Sequence, residues 1–180
     1  FLFGMFVVGE AMVASGYLSC IAHRFFARAG NPDQVVLFIL FGMGILSALL
    51  MNDTLAVIGT PLVLGLAASR KISPKLLLLT LAIAITTGSV MSPIGNPQNL
   101  LVALNAGMTS PFLTFAVWLG IPTLICLGIS WGVLRWFYRD EFVHCESAGL
   151  SVPACDDKLM ILSKISLSII LLLAAANIIA

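Results

Sequence analysis

Apolar residues fill six long stretches of this chain, and short polar segments separate them. The stretches cover approximately residues 1–22, 35–50, 55–68, 76–104, 112–138 and 159–180. A transmembrane helix needs about 20 predominantly apolar residues, and most of the stretches approach or exceed that length. The pattern therefore predicts an all-α fold, a polytopic helical membrane protein whose main partner is the lipid bilayer.

Composition excludes the soluble classes of protein. Of the 180 residues, 60% are hydrophobic and 9% are charged, whereas a soluble domain has about 25% charged residues. Such a chain cannot form the polar surface of a cytosolic enzyme or of an extracellular disulfide module. The net charge of +1 gives no basic field for phosphates, which excludes nucleic acid as a partner. We expect no enzymatic activity and no cofactor.

The basic residues predict the orientation in the membrane. They cluster in the polar stretch 23–34, in the loop 69–75 and near 135–139, where the fifth apolar stretch ends. Crossings at the apolar stretches bring these three segments to one face. By the positive-inside rule that face is cytoplasmic, which places residue 1 and the turn 105–111 outside. We predict a multi-pass integral protein of a plasma or inner membrane.

The second and third stretches are short for ordinary spans. Residues 35–50 would form a helix of about 24 Å, less than the roughly 30 Å hydrocarbon core, and 55–68 is shorter still. Only residues 51–54 separate them, and three of these, Asn52, Asp53 and Thr54, are polar. We predict a re-entrant hairpin over about 35–68, since non-helical backbone is tolerated at membrane depth where it is buried in protein. Two short tilted spans with a tight external turn are the alternative.

The fourth stretch, 76–104, is interrupted by Pro93, Gly95 and Pro97. Proline removes a backbone donor and clashes with the preceding helical turn, so the interruption exposes free carbonyl groups. We predict a broken transmembrane helix. The alternative is an external loop that begins where a helix ends near Met91.

Acidic residues inside apolar stretches mark candidate ion or proton pathways, because a carboxylate at membrane depth is costly. Asp53 and Glu10 are such residues. Asp53 could instead be an interfacial acid at an external turn, and Glu10 a buried, neutral structural acid. A metal site from His144, Cys145 and Cys155 is conceivable, but their spacing favours free thiols.

Two motifs in these anomalous stretches resemble a known group of families. Residues 47–54, SALLMNDT, followed by Thr60 and Pro61, resemble the hairpin-tip motif of the ion transporter superfamily. That superfamily includes citrate permeases, divalent-anion/sodium symporters, arsenite permeases and related sodium/proton antiporters. Residues 88–99, GSVMSPIGNPQN, resemble its unwound-helix motif. The order and spacing match, and the Gly-Asn-Pro-Gln-Asn form is most similar to the anion-permease and citrate-transporter-like branch.

The resemblance implies an architecture of two inverted repeats, each with a re-entrant hairpin and a broken helix. The first repeat would occupy 1–138, with its hairpin at about 35–68 and its broken helix at about 76–104. A cytoplasmic loop, 139–158, and the first helix of a truncated second repeat, 159–180, would follow. The resemblance also implies a homodimer of the full-length protein.

The resemblance further implies which residues form the transport site. A sodium site would be formed by Ser47, Asn52 and Gly95. The substrate would be bordered by Asn52, Thr54, Asn96, Pro97 and Asn99. Many tips of these families read Asp-Asn-x-Thr, whereas here Met51 precedes Asn52 and Asp53 follows it. This difference leaves the coupling ion open between Na⁺ and H⁺, with Asp53 and Glu10 as candidate coupling carboxylates.

Together these observations predict a secondary active transporter fragment that moves a small anion, a di- or tricarboxylate or an oxyanion, with Na⁺ or H⁺. One alternative is a cation/proton antiporter in which Asp53 is the exchanging carboxylate. The alternative from another class is a channel-like pore or a membrane-anchoring subunit.

Overall fold

The computed structural model describes residues 31–142 and the single positions Ile161, Ile165 and Ser168, which are helical. The predictions for the first apolar stretch with Glu10 and for the thiols of the 139–158 loop lie outside the described residues. So does the last stretch, apart from the three single positions. Within 31–142 the regular elements are helices, which confirms the all-α prediction.

Five helices and one short 3₁₀ turn follow one another in the continuous part. They are α1 (Pro32–Leu49), α2 (Asn52–Arg70), α3 (Pro74–Ser89), α4 (Pro97–Asn105), α5 (Pro111–Phe137) and the turn Arg139–Phe142. All but α2 have a proline in the first turn, where its missing N–H is not needed by the helix. By length and composition, α1, α2 and α5 could each cross a membrane, whereas α3 is shorter.

The junction of α1 and α2 differs from the predicted polar tip. Only Leu50 (φ −118°, ψ 150°) and Met51 (φ −59°, ψ 138°) leave the helical conformation, and α2 begins at Asn52. The polar residues predicted as the tip therefore form the first turn of α2, where Asp53 is favourable beside the positive helix end. The two helices have 18 and 19 residues, about 27 and 28 Å, so both are longer than predicted. These lengths are compatible with a hairpin and with two spans.

The first helix is not uniformly α-helical. It is π-helical over Phe38–Met43, between α-helical segments at Pro32–Leu37 and Gly44–Leu49. Its buried side chains, including Val35, Ile39 and Leu40, belong to the main apolar core. The wider π turn occurs where α1 packs against α3.

Helix α3 lies at the centre of the fold and packs against α1, α2 and α5. Its side chains Leu76, Leu77 and Leu81 are almost completely buried in the main core. The contact with α2 is close enough that a Cβ on Gly59 would approach Leu81 Cδ1 to 2.9 Å and Met43 Cε to 3.1 Å. The core thus joins both arms of the α1–α2 pair to α3.

Helix α5 covers one side of α1 and leaves most of its own apolar surface exposed. Leu127 is fully buried against Gly44 of α1. At the far end, Arg135 Nη1 lies 3.1 Å from Asp33 Oδ1, and the Arg135 guanidinium stands 5.4 Å from the Trp131 ring centroid. The start of α1 and the end of α5 therefore share one end of the fold, while the cytoplasmic placement of that end stays a prediction.

The fourth stretch is interrupted in the structure, and whether this is a broken transmembrane helix or an external loop stays a prediction. Helix α3 ends at Ser89 and α4 begins at Pro97, with turns and bends over residues 90–96. The 90–96 loop contains Pro93 and Gly95. The proline that follows it, Pro97, opens α4 rather than breaking it, because its fixed φ suits the first helical position.

Candidate functional site

The two motifs, distant in sequence, meet at the start of α2. The backbone N–H of Asn52 donates to the carbonyl oxygen of Gly95 over 3.0 Å. The first N–H groups of a helix have no partner within the helix, so the 90–96 loop satisfies one of those of α2. The structure therefore brings together Asn52 and Gly95, which were predicted to share the sodium site.

The first turn of α2 holds the remaining residues of the first motif. Asn52 Oδ1 accepts the backbone N–H of Asp53 at 2.9 Å. The Asp53 side chain is exposed. The Thr54 hydroxyl is buried and has no hydrogen-bond partner in the described part of the chain. Because an unpaired buried hydroxyl costs free energy, Thr54 is a candidate for contact with a ligand.

Met51 lies where the family resemblance leads one to expect an acidic residue. The Met51 side chain is 2% exposed and packs with Ile94 of the 90–96 loop and with Phe112 of α5. An acidic residue at 51 would lie in that apolar contact, where an unpaired charge is costly. Here the junction is held by apolar packing, and the acid lies two positions later at the exposed Asp53.

Hydrogen bonds of two asparagines, Asn96 and Asn99, hold the second motif together. Asn96 is the N-cap of α4, and its Oδ1 accepts the backbone N–H of Asn99 at 2.8 Å, an arrangement that stabilises helix starts. Asn99 Nδ2 lies within 3.2 Å of the Ser89 and Val90 carbonyl oxygens and 2.9 Å from that of Ser92. Asn99 thus ties the loop to the end of α3, and its predicted contact with substrate stays a prediction.

Ser47 lies in the last turns of α1. It is fully buried, and its hydroxyl donates to the Gly44 carbonyl oxygen at 2.7 Å, which leaves oxygen lone pairs for another partner. Gly95 has no room for a side chain, because a Cβ would overlap the Ser89 carbonyl oxygen. The structure thus places Ser47 near the end of α1, and Gly95 beside the start of α2.

The polarity of this region comes from helix ends rather than from charged side chains. Helices α1 and α3 end here and α2 and α4 begin here, so negative and positive helix ends come together. Asp53 is the one charged residue within 34–69, and 76–134 contains none. Such an arrangement can bind a cation through carbonyl and hydroxyl oxygens and an anion through N–H groups.

Sequence reasoning did not select Ser89, although it lies in the second motif. It is 1% exposed, and its hydroxyl accepts from Asn96 Nδ2 at 3.3 Å. A serine at the end of a helix, just before a proline-containing loop, was the available signal. Among the described residues no group of His, Cys, Asp and Glu could hold a metal ion, and Cys126 is an exposed free thiol.

Comparisons with known proteins agree with the motifs. The model of the Citrate transporter family matches residues 1–180. The chain is 33% identical over 140 residues to the silicon efflux transporter LSI3 of Oryza sativa subsp. japonica, covering 78% of this chain and 28% of that protein. It is 29% identical over 108 residues to the inner membrane protein YbiR of Escherichia coli (strain K12), covering 60% and 29%.

A shorter match, 36% identical over 64 residues, is to the putative transporter arsB of Dictyostelium discoideum, covering 36% of this chain and 11% of that protein. No solved structure matches. The chain spans under a third of the length of the curated relatives named here. The relatives and the apolar helices identify an integral membrane protein of a transporter group, not an enzyme. This chain belongs to the citrate transporter family.

Proposed function

We propose that the full-length protein is a secondary active transporter for a small anion, a di- or tricarboxylate or an oxyanion, coupled to Na⁺ or H⁺. The hydrogen bond from Asn52 N–H to the Gly95 carbonyl oxygen carries this proposal, because it joins the two motifs at the meeting of four helix ends. Discontinuous helices of this kind form the binding sites of many secondary transporters.

The anion would bind at the starts of α2 and α4. The N–H groups and the positive ends of the two helix dipoles favour negative charge there. The unpaired, buried Thr54 hydroxyl and the amide of Asn52 add hydrogen-bonding groups beside α2. Asn96 and Pro97 occupy the corresponding positions at the start of α4.

The coupling cation would bind on the carbonyl side of the same region. The ends of α1 and α3 carry the negative ends of their helix dipoles, and hard oxygen ligands suit Na⁺. The oxygen ligands of the cation would come from Ser47, Asn52 and Gly95. Ser47 is buried in α1, and Gly95 is in direct contact with Asn52.

Alternating access would come from motion of the hairpin-bearing part against a scaffold. In this proposal α1 and α2 form the hairpin, α3 with α4 the broken helix, and the basic loops face the cytoplasm. The full-length protein would contain a second repeat that completes the site, and it would act as a homodimer.

The test is uptake of radiolabelled citrate, succinate and phosphate by the full-length protein in proteoliposomes. Each anion is offered with an inward sodium gradient, with an inward proton gradient and with neither. We expect saturable, gradient-dependent uptake of at least one anion. Asn52→Ala and Asn96→Ala should abolish it at unchanged membrane content. Asn105→Ala is the matched control, since the Asn105 amide bonds only to Leu101 of its own helix in the described structure.

Uptake that survives both substitutions would contradict the site. Conductance far above carrier turnover would instead indicate a channel, and absence of any flux would favour a membrane-anchoring subunit.

A cation/proton antiporter is the second candidate, and the position of Asp53 favours it. Asp53 is the one charged residue within 34–69, and it is exposed beside the start of α2. A sodium gradient that drives proton movement without any added anion, and that is lost in Asp53→Asn, would support the antiporter over the anion symporter.

A further inference from the structure

Ser89, the last residue of α3, contacts residues of both predicted parts of the site. Its hydroxyl oxygen accepts from Asn96 Nδ2 at 3.3 Å, and its carbonyl oxygen accepts from Asn99 Nδ2 at 3.2 Å. The same carbonyl lies so close to Gly95 that no Cβ fits between them. With 1% of its surface exposed, Ser89 is enclosed by these neighbours.

The bonds of Ser89 and of the Asn99 backbone N–H together fix the orientation of the Asn96 amide. The Ser89 hydroxyl donates its hydrogen to the Thr86 carbonyl oxygen at 2.9 Å. A hydroxyl has one hydrogen and two lone pairs, so only a lone pair is available to Asn96, which must present its NH₂ group. Asn96 Oδ1 then faces the backbone N–H of Asn99, at 2.8 Å.

In this orientation the Asn96 amide retains one N–H and one lone pair beyond its bonds to Ser89 and Asn99. Both lie at the start of α4, one residue from Gly95. We propose that Ser89 is a positioning residue of the transport site, which holds the Asn96 amide in one orientation toward the anion without touching the anion itself. This inference rests on the proposed function, since it requires that Asn96 borders the transported anion.

The experiment compares Ser89→Ala with Thr80→Val in the full-length protein. Thr80 is fully buried on the same helix, and its hydroxyl makes the same kind of bond, to the Leu76 carbonyl oxygen at 2.7 Å. Uptake of citrate, succinate and phosphate is measured in proteoliposomes. We expect Ser89→Ala to raise KM about fivefold with little change in Vmax. A fivefold change corresponds to about 1 kcal/mol, the typical net contribution of one hydrogen bond. Thr80→Val should keep the KM of the unsubstituted protein.

A second measurement separates positioning from folding. An anion that binds the folded state raises Tm, and at a fixed anion concentration the rise is larger when the anion binds more tightly. Ser89→Ala should reduce the rise in Tm that the transported anion produces, whereas Thr80→Val should lower the Tm by a similar amount with and without anion and so keep that rise. Ser89→Thr keeps the hydroxyl and should keep KM. If Ser89→Ala is not recovered from the membrane, Ser89→Cys serves in its place, since a thiol is a weaker acceptor.

The outcomes distinguish this inference from the function it rests on. An unchanged KM and an unchanged Tm rise in Ser89→Ala, with transport lost in Asn96→Ala, would overturn the role of Ser89 alone. Equal rises in KM for Ser89→Ala and Ser89→Thr would also overturn it. Normal transport by Asn96→Ala would overturn the proposed site and the inference with it.

Discussion

Gly44 of α1 and Gly88 of α3 meet backbone to backbone, so closely that a Cβ on Gly88 would overlap the Gly44 carbonyl group. Small residues allow such approaches between membrane helices. The contact lies one turn before Ser47 in α1 and immediately before Ser89 in α3. It therefore fixes the two helix ends, on which the proposed cation site depends, relative to each other.

Gly88→Ala should force α1 and α3 apart. Overpacking of this kind costs typically 1–3 kcal/mol, so we expect a lower Tm and reduced anion uptake. Gly42→Ala is the matched control on α1, because an added Cβ there meets nothing within 4 Å. Equal Tm values for the two variants in detergent would show that the helices do not depend on this contact.

Gly95→Ala should disrupt the site itself. The new methyl group would overlap the Ser89 carbonyl oxygen, and relieving the overlap would displace Gly95, whose carbonyl oxygen accepts from Asn52. We expect loss of uptake and a destabilisation of about 1–3 kcal/mol. Gly65→Ala, in open space on α2, should be neutral or stabilising by roughly 0.5–1 kcal/mol. Uptake by Gly95→Ala at the wild-type level would show that transport does not depend on the close approach of Gly95 to Ser89.

Asn99→Ala should loosen the 90–96 loop, because its Nδ2 donates to the carbonyl groups of Ser89, Val90 and Ser92. We expect faster backbone hydrogen exchange over the loop, measured by mass spectrometry, and weaker uptake. Asn105→Ala removes an amide that bonds only within α4 among the described residues, so it should leave exchange over 90–96 unchanged. Unaltered exchange in Asn99→Ala would mean that the loop is held by other contacts.

Asp53→Asn should show whether Na⁺ or H⁺ is the coupling ion. The carboxylate is exposed and lies outside the Asn52–Gly95 contact, so its loss should cost only about 0.3–1 kcal/mol of favourable interaction with the start of α2. We expect uptake driven by a sodium gradient to persist and uptake driven by a proton gradient to be lost. Abolition of both in a well-folded variant would place Asp53 in the substrate site instead.

Much of the fold follows from local sequence chemistry. The apolar stretches correspond to α1, α2, α3 with α4, and α5, since apolar stretches of this length form helices in lipid. Pro93 and Gly95 lie in the interruption because neither supports a continuous helix. The start of α2 differs from the prediction, which places Asn52 and Asp53 at the tip between two helices, although both residues also suit a first helical turn.

The sequence by itself determined an all-α membrane protein, the interruption before Pro97 and the two motifs that identify the family. Each depends on residues close together in the chain. Only the tertiary structure decided that Asn52 bonds to Gly95, that Met51 packs on Ile94 and that the Ser89 hydroxyl accepts from the Asn96 amide. The first two contacts join the α1–α2 junction to the 90–96 loop, and the third spans that loop. Their geometry is set by how closely the helices pack at Gly44 and Gly88, which no local pattern encodes.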